Sequence, residues 1–206
     1  MKVVAVISQK GGTGKTTLSL HLAVAAERSG KSAAIIDLDP QASATSWKDQ
    51  RQNASPAVVS AQFARLNEVL DTAATHGADL TIIDTAPHSE SASLAAARAA
   101  DLVIIPCRPA ILDLRAISTS IDLAKLAGKS PHIVFNAVPP RGRLAEEATE
   151  AVAVYGAPVA PVRLCHRAAF IHALTAGQTA QEYDSAGKAA AEVSHLYMWM
   201  CGQVGL

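Results

Sequence analysis

The residues best suited to chemistry form a glycine-rich loop near the start of the chain, Gln9-Lys10-Gly11-Gly12-Thr13-Gly14-Lys15-Thr16-Thr17. The loop follows an apolar run at residues 3–7 and precedes a helical pattern at 18–28. Glycines let backbone N–H groups turn toward an anion, and the N-terminus of the next helix adds partial positive charge. The arrangement predicts a phosphate-binding loop at residues 11–17. Lys15 would contact the β- and γ-phosphates, and the Thr16 hydroxyl would bind Mg²⁺.

Acidic residues stand at the ends of two other apolar runs. Residues 32–38 lead into Asp37-Leu38-Asp39-Pro40-Gln41, and residues 80–83 lead into Asp84. Because parallel sheets bind ligands at the carboxyl ends of their strands, these carboxylates are expected near the phosphates. Asp84 is the acid of a Walker B arrangement and would hold Mg²⁺ directly or through water. Segment 85–89 is predicted to sense the γ-phosphate, and no role is assigned to His88 within it.

These side chains would be positioned by strands and helices that alternate along the whole chain. Strands are predicted at residues 3–7, 32–38, 57–60, 80–83, 102–106 and 133–138, with a weaker one near 159–162. Helices are predicted at residues 18–28, 62–75, 91–99, 114–126 (with Asp113 as its cap), 144–155 and 186–200. Strands that are apolar throughout and separated by helices indicate a parallel sheet covered on both faces. The predicted fold class is a doubly wound α/β P-loop fold, in a single domain over residues 1–206.

The composition sets limits on partners and compartment. The 206 residues include 18 basic and 18 acidic side chains, so any contact with nucleic acid has to come from a local patch. The three cysteines are widely spaced and form no Cys-x-x-Cys pair, which predicts reduced cytosolic thiols and no zinc site. Neither a signal peptide nor an apolar run of membrane-spanning length is recognised. We therefore expect a cytoplasmic protein.

The loop departs from the general P-loop pattern, because Gln9 replaces the usual first glycine and Lys10 adds a second lysine. Residues 10–17 resemble the deviant P-loop of the ParA/MinD class of ATPases. Residues 37–41 resemble the Asp-x-Asp-Pro-Gln signature of the ParA family, and residues 100–114 resemble its next strand and helix start. The resemblance covers about the first 140 residues well and the rest loosely. It implies a slow ATPase that binds ATP or ADP with Mg²⁺ and forms a homodimer with ATP.

The same resemblance assigns roles to individual residues. Lys10 would cross the dimer interface to the partner subunit's nucleotide, which makes it a catalytic and nucleotide-binding residue beside Lys15. Asp39 matches the carboxylate that orients or polarises the attacking water, and Asp37 matches its metal-side companion. Asn136 matches an asparagine that contacts the adenine edge, since an amide can both donate and accept; a loop-capping role is the alternative.

The pattern is most similar to the short ParA proteins of plasmid partition, which lack an N-terminal helix-turn-helix domain. The chain starts two residues before its first predicted strand, so no such domain is expected. By this resemblance the ATP dimer coats nucleoid DNA without sequence preference, and a ParB-like centromere-binding protein stimulates hydrolysis. The candidate DNA contacts are Arg141, Arg143, Arg163 and Arg167, which would bind phosphates in a salt-dependent way.

Other functions remain open. A ParA-like protein that positions another cargo, such as a protein microcompartment or a chemoreceptor cluster, would use the same chemistry with a different partner. A MinD-like membrane regulator fits less well, because a membrane-seeking helix should carry Lys or Arg and no basic residue follows Lys188. The last helix is expected to pack on the domain through Val193, Leu196, Tyr197 and Met200. Trp47 is expected to pack under its polar loop, and a partner contact is the alternative.

Overall fold

One parallel sheet forms the centre of the computed structural model, which describes all 206 residues. Its strands are β1 (Lys2–Val6), β2 (Ala33–Asp37), β3 (Ala57–Ser60), β4 (Leu80–Asp84), β5 (Leu102–Cys107) and β6 (His132–Phe135). Their order in the sheet is β3-β2-β4-β1-β5-β6, and every adjacent pair is parallel. The carboxyl ends of β1, β2 and β4 therefore lie side by side, where the glycine loop and the two acidic segments begin.

Nine helices connect or cover the strands, with 3₁₀ turns at Phe63–Arg65 and Ala153–Tyr155. They are α1 (Lys15–Arg28), α2 (Ser43–Gln50), α3 (Leu66–Thr75), α4 (Glu90–Ala99), α5 (Ile111–Leu126), α6 (Leu144–Val152), α7 (Ala168–Thr175), α8 (Ala180–Tyr183) and α9 (Lys188–Val204). Parallel strands need such crossovers, because a tight turn cannot join them.

Two hydrophobic clusters, one on each face of the sheet, show why the helices divide into two layers. Along β1, Val4 and Val6 point into the cluster that also holds α1, α2, α7 and α9, while Val3 and Ala5 point into the cluster with α3, α4, α5 and α6. Successive residues of a strand face opposite sides, so a strand buried on both faces has to be apolar throughout. The predicted doubly wound α/β fold is confirmed.

The structure differs from the sequence prediction in the second half of the chain and around α2. Residues 159–162 form no strand, and only Val159 makes an isolated bridge to Ile133. Pro158 precedes this segment and Pro161 lies within it, and neither has the N–H that a ladder requires. Three helices, α2, α7 and α8, were not predicted. They are four to eight residues long, and α2 buries only Ala44 and Trp47, too few positions for a recognisable helical period.

The last helix packs on the sheet as predicted. Val193, Leu196, Tyr197 and Met200 are all buried in the cluster that contains α1. None of the helices combines the length and the apolar character that crossing a bilayer requires.

Candidate active site

The glycine loop turns from β1 into α1 through two residues with positive φ, Gly12 at 72° and Gly14 at 94°. Only glycine adopts such angles at little cost. Gly14 occupies the N-cap position of α1, and no side chain caps the first turn of this helix. The N–H groups of the first turn are therefore available to an anion.

Asn136 braces this loop from the end of β6. Its Nδ2 donates to the Thr13 carbonyl at 2.8 Å, and its Oδ1 accepts from the Ala137 N–H at 2.9 Å. A Cβ on Gly14 would lie 2.0 Å from the Asn136 Nδ2, so only glycine fits beneath this amide. The contacts correspond to the loop-capping alternative for Asn136, and the adenine contact remains a prediction.

Replacing Gly14 with alanine is expected to weaken nucleotide binding at least tenfold, because the new methyl group would displace Asn136 and the loop amides. Gly30→Ala is the matched control, since Gly30 also has a positive φ of 78° but meets no atom within 4 Å. Both variants carry the backbone cost of about 1 kcal/mol, seen as a lower melting temperature. Titration with a fluorescent ATP analogue should separate them, and equal affinities would contradict the bracing role.

Lys15, Thr16 and Asp84 meet at the base of the loop. The Lys15 Nζ donates to the carbonyls of Ser8 at 3.1 Å and Lys10 at 3.3 Å. Burial lowers the pKa of Lys15, while Asp84 and Asp39 oppose that shift. The ammonium is thus held among acceptors at the centre of the loop, where it can move onto a phosphate.

Asp84 is fully buried at the end of β4, and burial raises its pKa to about 7 against the opposing effects of Thr16, Lys15 and Ser19. The Ser19 hydroxyl donates to its Oδ1 at 3.3 Å, whereas its Oδ2 has no hydrogen-bond partner. A buried carboxylate oxygen without a partner, next to a threonine hydroxyl, offers the oxygen ligands that Mg²⁺ prefers. These residues fit the predicted metal.

Asp37 organises the second acidic segment. Its Oδ1 accepts from the Asp39 N–H at 3.0 Å, and its Oδ2 accepts from the N–H groups of Ala44 at 3.1 Å and Thr45 at 3.3 Å. The N-cap residue Ala42 has no polar side chain. The carboxylate of Asp37, which lies outside the helix in the sequence, therefore caps the N-terminus of α2 in its place. The sequence did not reveal this structural role, and the metal-side role of Asp37 remains a prediction.

Asp39 lies beyond the end of β2 and is less buried than Asp37. Its Oδ1 accepts from the Gln41 N–H at 2.9 Å, which fixes the carboxylate in the loop before α2. An open groove of about 1240 Å³ borders Asp39 and runs between residues 39–41 and 86–92. The phosphate loop is not part of this groove, so we do not assign the nucleotide to it.

Lys10 is turned toward its own subunit. Its Nζ forms an ion pair with Asp113 of α5 at 2.6 Å, and 36% of the lysine side chain remains exposed. The prediction that Asp113 caps α5 is wrong, since the helix begins at Ile111 after Ala110. Asp113 lies in the first turn, and its carboxylate binds Lys10 instead. Sequence alone could not pair two residues that are so far apart in the chain.

Gln9 connects the loop to the segment that follows Asp84. Its carbonyl accepts from the His88 N–H at 3.0 Å, and its Nε2 donates to the Ser93 hydroxyl at 3.1 Å. Its own N–H donates to the Ser120 hydroxyl of α5 at 3.0 Å. His88 has a φ of 54°, an unfavourable angle for a residue other than glycine. The sequence feature that could have indicated these contacts is Gln9, which stands where a P-loop usually has its first glycine.

The four arginines predicted to contact DNA fall into two pairs. Arg141 and Arg143 are exposed in the turn before α6 and form no ion pair. Arg163 pairs with Glu146 at 2.8 Å, and the Nε of Arg167 donates to Glu192 at 2.9 Å. Arg141 and Arg143 are therefore better placed for phosphate contacts, because nothing has to release them first.

His21 joins α1 to the start of α8 and was not recognised from the sequence. It is fully buried; its Nδ1 donates to the Thr17 carbonyl at 2.7 Å, and its Nε2 accepts from the Ala180 N–H at 3.0 Å. Only the neutral Nδ1–H tautomer can make both bonds. Burial accordingly lowers the pKa of His21 from 6.5 to about 4.

We expect this histidine to make folding pH-dependent. The neutral ring is favoured in the folded state, so its stabilising effect is present above pH 6.5 and is lost as the pH falls toward 4. At about 1.4 kcal/mol per pH unit, the loss is about 3 kcal/mol. Urea unfolding at pH 7 and pH 4.5 should show a smaller pH dependence for His21→Gln than for the wild type. His76→Gln is the control, because His76 makes the same local bond to Thr72 in solvent; identical behaviour of both variants would contradict the assignment.

Comparison with known proteins places these features in a wider group. A family model described as the CobQ/CobB/MinD/ParA nucleotide binding domain matches residues 4–180. The maintenance of carboxysome distribution protein A of Gloeobacter kilaueensis is 37% identical over 142 residues, which span 68% of this chain and 65% of that protein. Its namesake from Halothiobacillus neapolitanus is 25% identical over 196 residues, 91% of this chain and 90% of that protein. Protein ParA of Rhizobium radiobacter is 30% identical over 125 residues, 60% and 56% of the two chains.

Solved structures share the fold at low sequence identity. The MinD protein of Pyrococcus horikoshii, complexed with Mg-ADP, superposes with a TM-score of 0.76 at 18% identity, covering 95% of this chain and 94% of that one. A Cyanothece McdA variant in complex with ATP gives 0.74 at 17% identity, covering 100% and 97%. At these identities the likeness establishes the fold alone.

Proposed function

Because the chain belongs to the CobQ/CobB/MinD/ParA nucleotide-binding family, we propose that it is a ParA/MinD-type ATPase that hydrolyses ATP to ADP and phosphate. The observation that carries this proposal is the cluster of Lys15, Thr16 and Asp84 beneath an uncapped helix N-terminus. The predicted ligands, ATP or ADP with Mg²⁺, agree with the family and with the nucleotide complexes of the two solved relatives.

The residues predicted to form the site take different parts in this reaction. The amides of residues 11–17 and the Lys15 ammonium would hold the phosphates. The hydroxyl of Thr16 and the carboxylate of Asp84 would hold the metal. When bound, Mg²⁺ neutralises charge that develops on the β- and γ-phosphates. Asp39 orients the water that attacks the γ-phosphorus. Lys10 reaches the nucleotide of a second subunit, which makes the active unit a homodimer.

We further propose that this ATPase positions a protein cargo, such as a microcompartment, by binding nucleoid DNA in its ATP state. The resemblance to plasmid-partition proteins favoured a partition role, but two relatives with substantial coverage carry the name of carboxysome distribution proteins. Arg141 and Arg143 provide exposed cations for DNA phosphates. The partner that stimulates hydrolysis would then be a cargo-bound protein.

Plasmid partition with a ParB-like partner is the second candidate, supported by the likeness to protein ParA of Rhizobium radiobacter. Both candidates share the ATPase and the DNA-binding dimer, and they differ in the cargo. Deleting the gene while its neighbouring genes are kept, with a fluorescent label on the cargo, would distinguish them. Loss of the protein should make protein microcompartments cluster in the first case and make a plasmid unstable in the second.

The first experiment tests the common part of both candidates. ATP hydrolysis and binding to random-sequence DNA would be measured with ATP, with ADP, and with Asp39→Ala in ATP, across a salt series. We expect hydrolysis that requires Mg²⁺, and DNA binding that requires ATP and falls steeply as salt rises. Hydrolysis without DNA binding would keep the ATPase and remove the nucleoid role. No hydrolysis under any condition would overturn the proposal.

A further inference from the structure

Helix α2 carries the Asp39 loop at one end and is fastened to the rest of the molecule at the other. At its N-terminus, Asp37 binds the N–H groups of Ala44 and Thr45, as well as that of Asp39. The helix contributes only two buried side chains to the core, so packing alone gives it a weak hold. Its position therefore depends on the hydrogen bonds of Asp37 at the N-terminus together with the contacts made by its C-terminal end.

That end is clamped onto the turn between α7 and α8. The indole N–H of Trp47 donates to the Gln178 carbonyl at 3.2 Å, and the Arg51 Nη1 donates to the Gly177 carbonyl at 3.1 Å. Gly177 lies so close that a Cβ on it would be 2.8 Å from the Gln50 carbonyl oxygen. The Arg51 guanidinium also lies 4.8 Å from the centre of the Trp47 ring, in cation–π contact.

The clamp also contains a two-pronged ion pair between Arg51 and Glu182. Arg51 Nη2 lies 2.6 Å from Glu182 Oε1, and Nη1 lies 2.9 Å from Oε2. The Arg51 side chain is only 3% exposed and the Glu182 side chain 13%. Burying such a pair contributes little net stability, because desolvation offsets the attraction, but its planar geometry fixes the relative position of the two elements.

Glu182 is itself held in place relative to the phosphate loop. Its Oε2 accepts from the Thr179 N–H at 2.8 Å, which is part of the capping box of α8, and also from the Thr179 hydroxyl at 3.1 Å. The next N–H, from Ala180, donates to His21, which is bound to the Thr17 carbonyl of the phosphate loop. A continuous set of contacts therefore connects Thr17 to Arg51 and hence to α2.

We propose that Arg51 and Glu182 are positioning residues for ATP hydrolysis, which fix α2 so that Asp39 is held at the attacking water. The inference rests on the proposed ATPase activity. It gives a role in that activity to part of the C-terminal region, which is linked to the phosphate loop through His21. Neither residue contacts the reacting atoms. Their effect is on the geometry of Asp39, where an error of about 1 Å costs on the order of 100-fold in rate.

The test compares Glu182→Gln with Glu192→Gln. Glu192 is a close match, because its carboxylate also lies between an arginine, Arg167, and a backbone N–H, that of Cys165, but it has no contact with α2. We expect Glu182→Gln to lower kcat about 10- to 100-fold while the KM for ATP stays within twofold. Glu192→Gln should keep the wild-type kcat. The melting temperature should fall by a similar amount in both variants.

A second measurement separates positioning from general destabilisation. In a Trp199→Phe background Trp47 is the sole tryptophan, and its emission should change in Glu182→Gln because the indole loses its ordered surroundings. Arg51→Lys keeps the charge but loses the planar fork, so it should show the same loss of kcat, and it serves in place of Glu182→Gln if that variant does not fold.

The outcomes separate the inference from the proposed function. A Glu182→Gln kcat within twofold of the wild type, or a fall no larger than that of Glu192→Gln, would overturn the positioning role and leave the ATPase intact. A rise in KM without a change in kcat would also overturn it. Absence of hydrolysis by the wild type would instead refute the ATPase on which the inference rests.

Discussion

Replacing Lys10 with alanine is expected to abolish ATP-dependent dimerisation and to lower the hydrolysis rate by about 10³–10⁵-fold, the range for a cation supplied in trans to a phosphoryl group. The reason is the charge of two γ-phosphates facing each other across an interface, which a lysine from each subunit would compensate. Nucleotide affinity of the single subunit should change little, because Lys15 and the loop amides remain. Light scattering coupled to size-exclusion chromatography, with ATP and with ADP, measures the dimer directly.

Lys188→Ala provides the control for this experiment, since Lys188 is exposed at the start of α9 and forms no ion pair. The role of Lys10 in assembly would be contradicted by a Lys10→Ala protein that dimerises with ATP as the wild type does. A dimer that forms normally but hydrolyses slowly would retain a catalytic role for Lys10 and remove its role in assembly.

Asp39→Ala is expected to lower ATP hydrolysis by about 10²–10⁴-fold, the usual contribution of a positioned carboxylate acting on water. ATP binding should persist, because the carboxylate is anchored to the Gln41 N–H in the loop and makes no contact with the glycine loop. The variant should therefore accumulate as an ATP-bound dimer. Phosphate release gives the rate, and retention of labelled ATP by the dimer gives the trapped state.

Asp49→Ala is the companion variant, because Asp49 is an exposed aspartate on the helix that follows Asp39. It should hydrolyse ATP at the wild-type rate. An Asp39→Ala protein that turns over ATP within threefold of wild type would show that another group orients the water.

The sheet could be predicted from sequence because its strands are buried on both faces. Residues 33–36 of β2 and 80–83 of β4 are all buried, and Thr81 is the one polar residue in these otherwise apolar runs. Helix α2 could not be predicted, because its start depends on Asp37, a residue outside it, and its end depends on the Arg51–Glu182 pair. Long-range contacts of this kind leave no periodic pattern in the local sequence.

The phosphate loop was likewise predictable, because its chemistry is carried by adjacent residues with a fixed spacing. The orientation of Lys10 was not, since its partner Asp113 lies on α5, nor was the packing of Asn136 against Gly14. In each case the decisive contact joins residues more than 100 positions apart. Local spacing identifies which residues can do the chemistry. The tertiary contacts determine how those side chains are oriented when no nucleotide is bound.

If Lys10 acts across the dimer interface as proposed, its ion pair with Asp113 would compete with the nucleotide of the second subunit for the lysine. A carboxylate carries one negative charge, and ion pairs near the surface are worth at most about 1 kcal/mol, so a lysine that is 36% exposed can leave for a more strongly charged anion. The γ-phosphate of a second subunit's ATP is such an anion, whereas ADP lacks that group. In the proposed dimer, Asp113 would therefore favour release of the lysine to ATP over release to ADP, and it would weaken the ATP dimer somewhat.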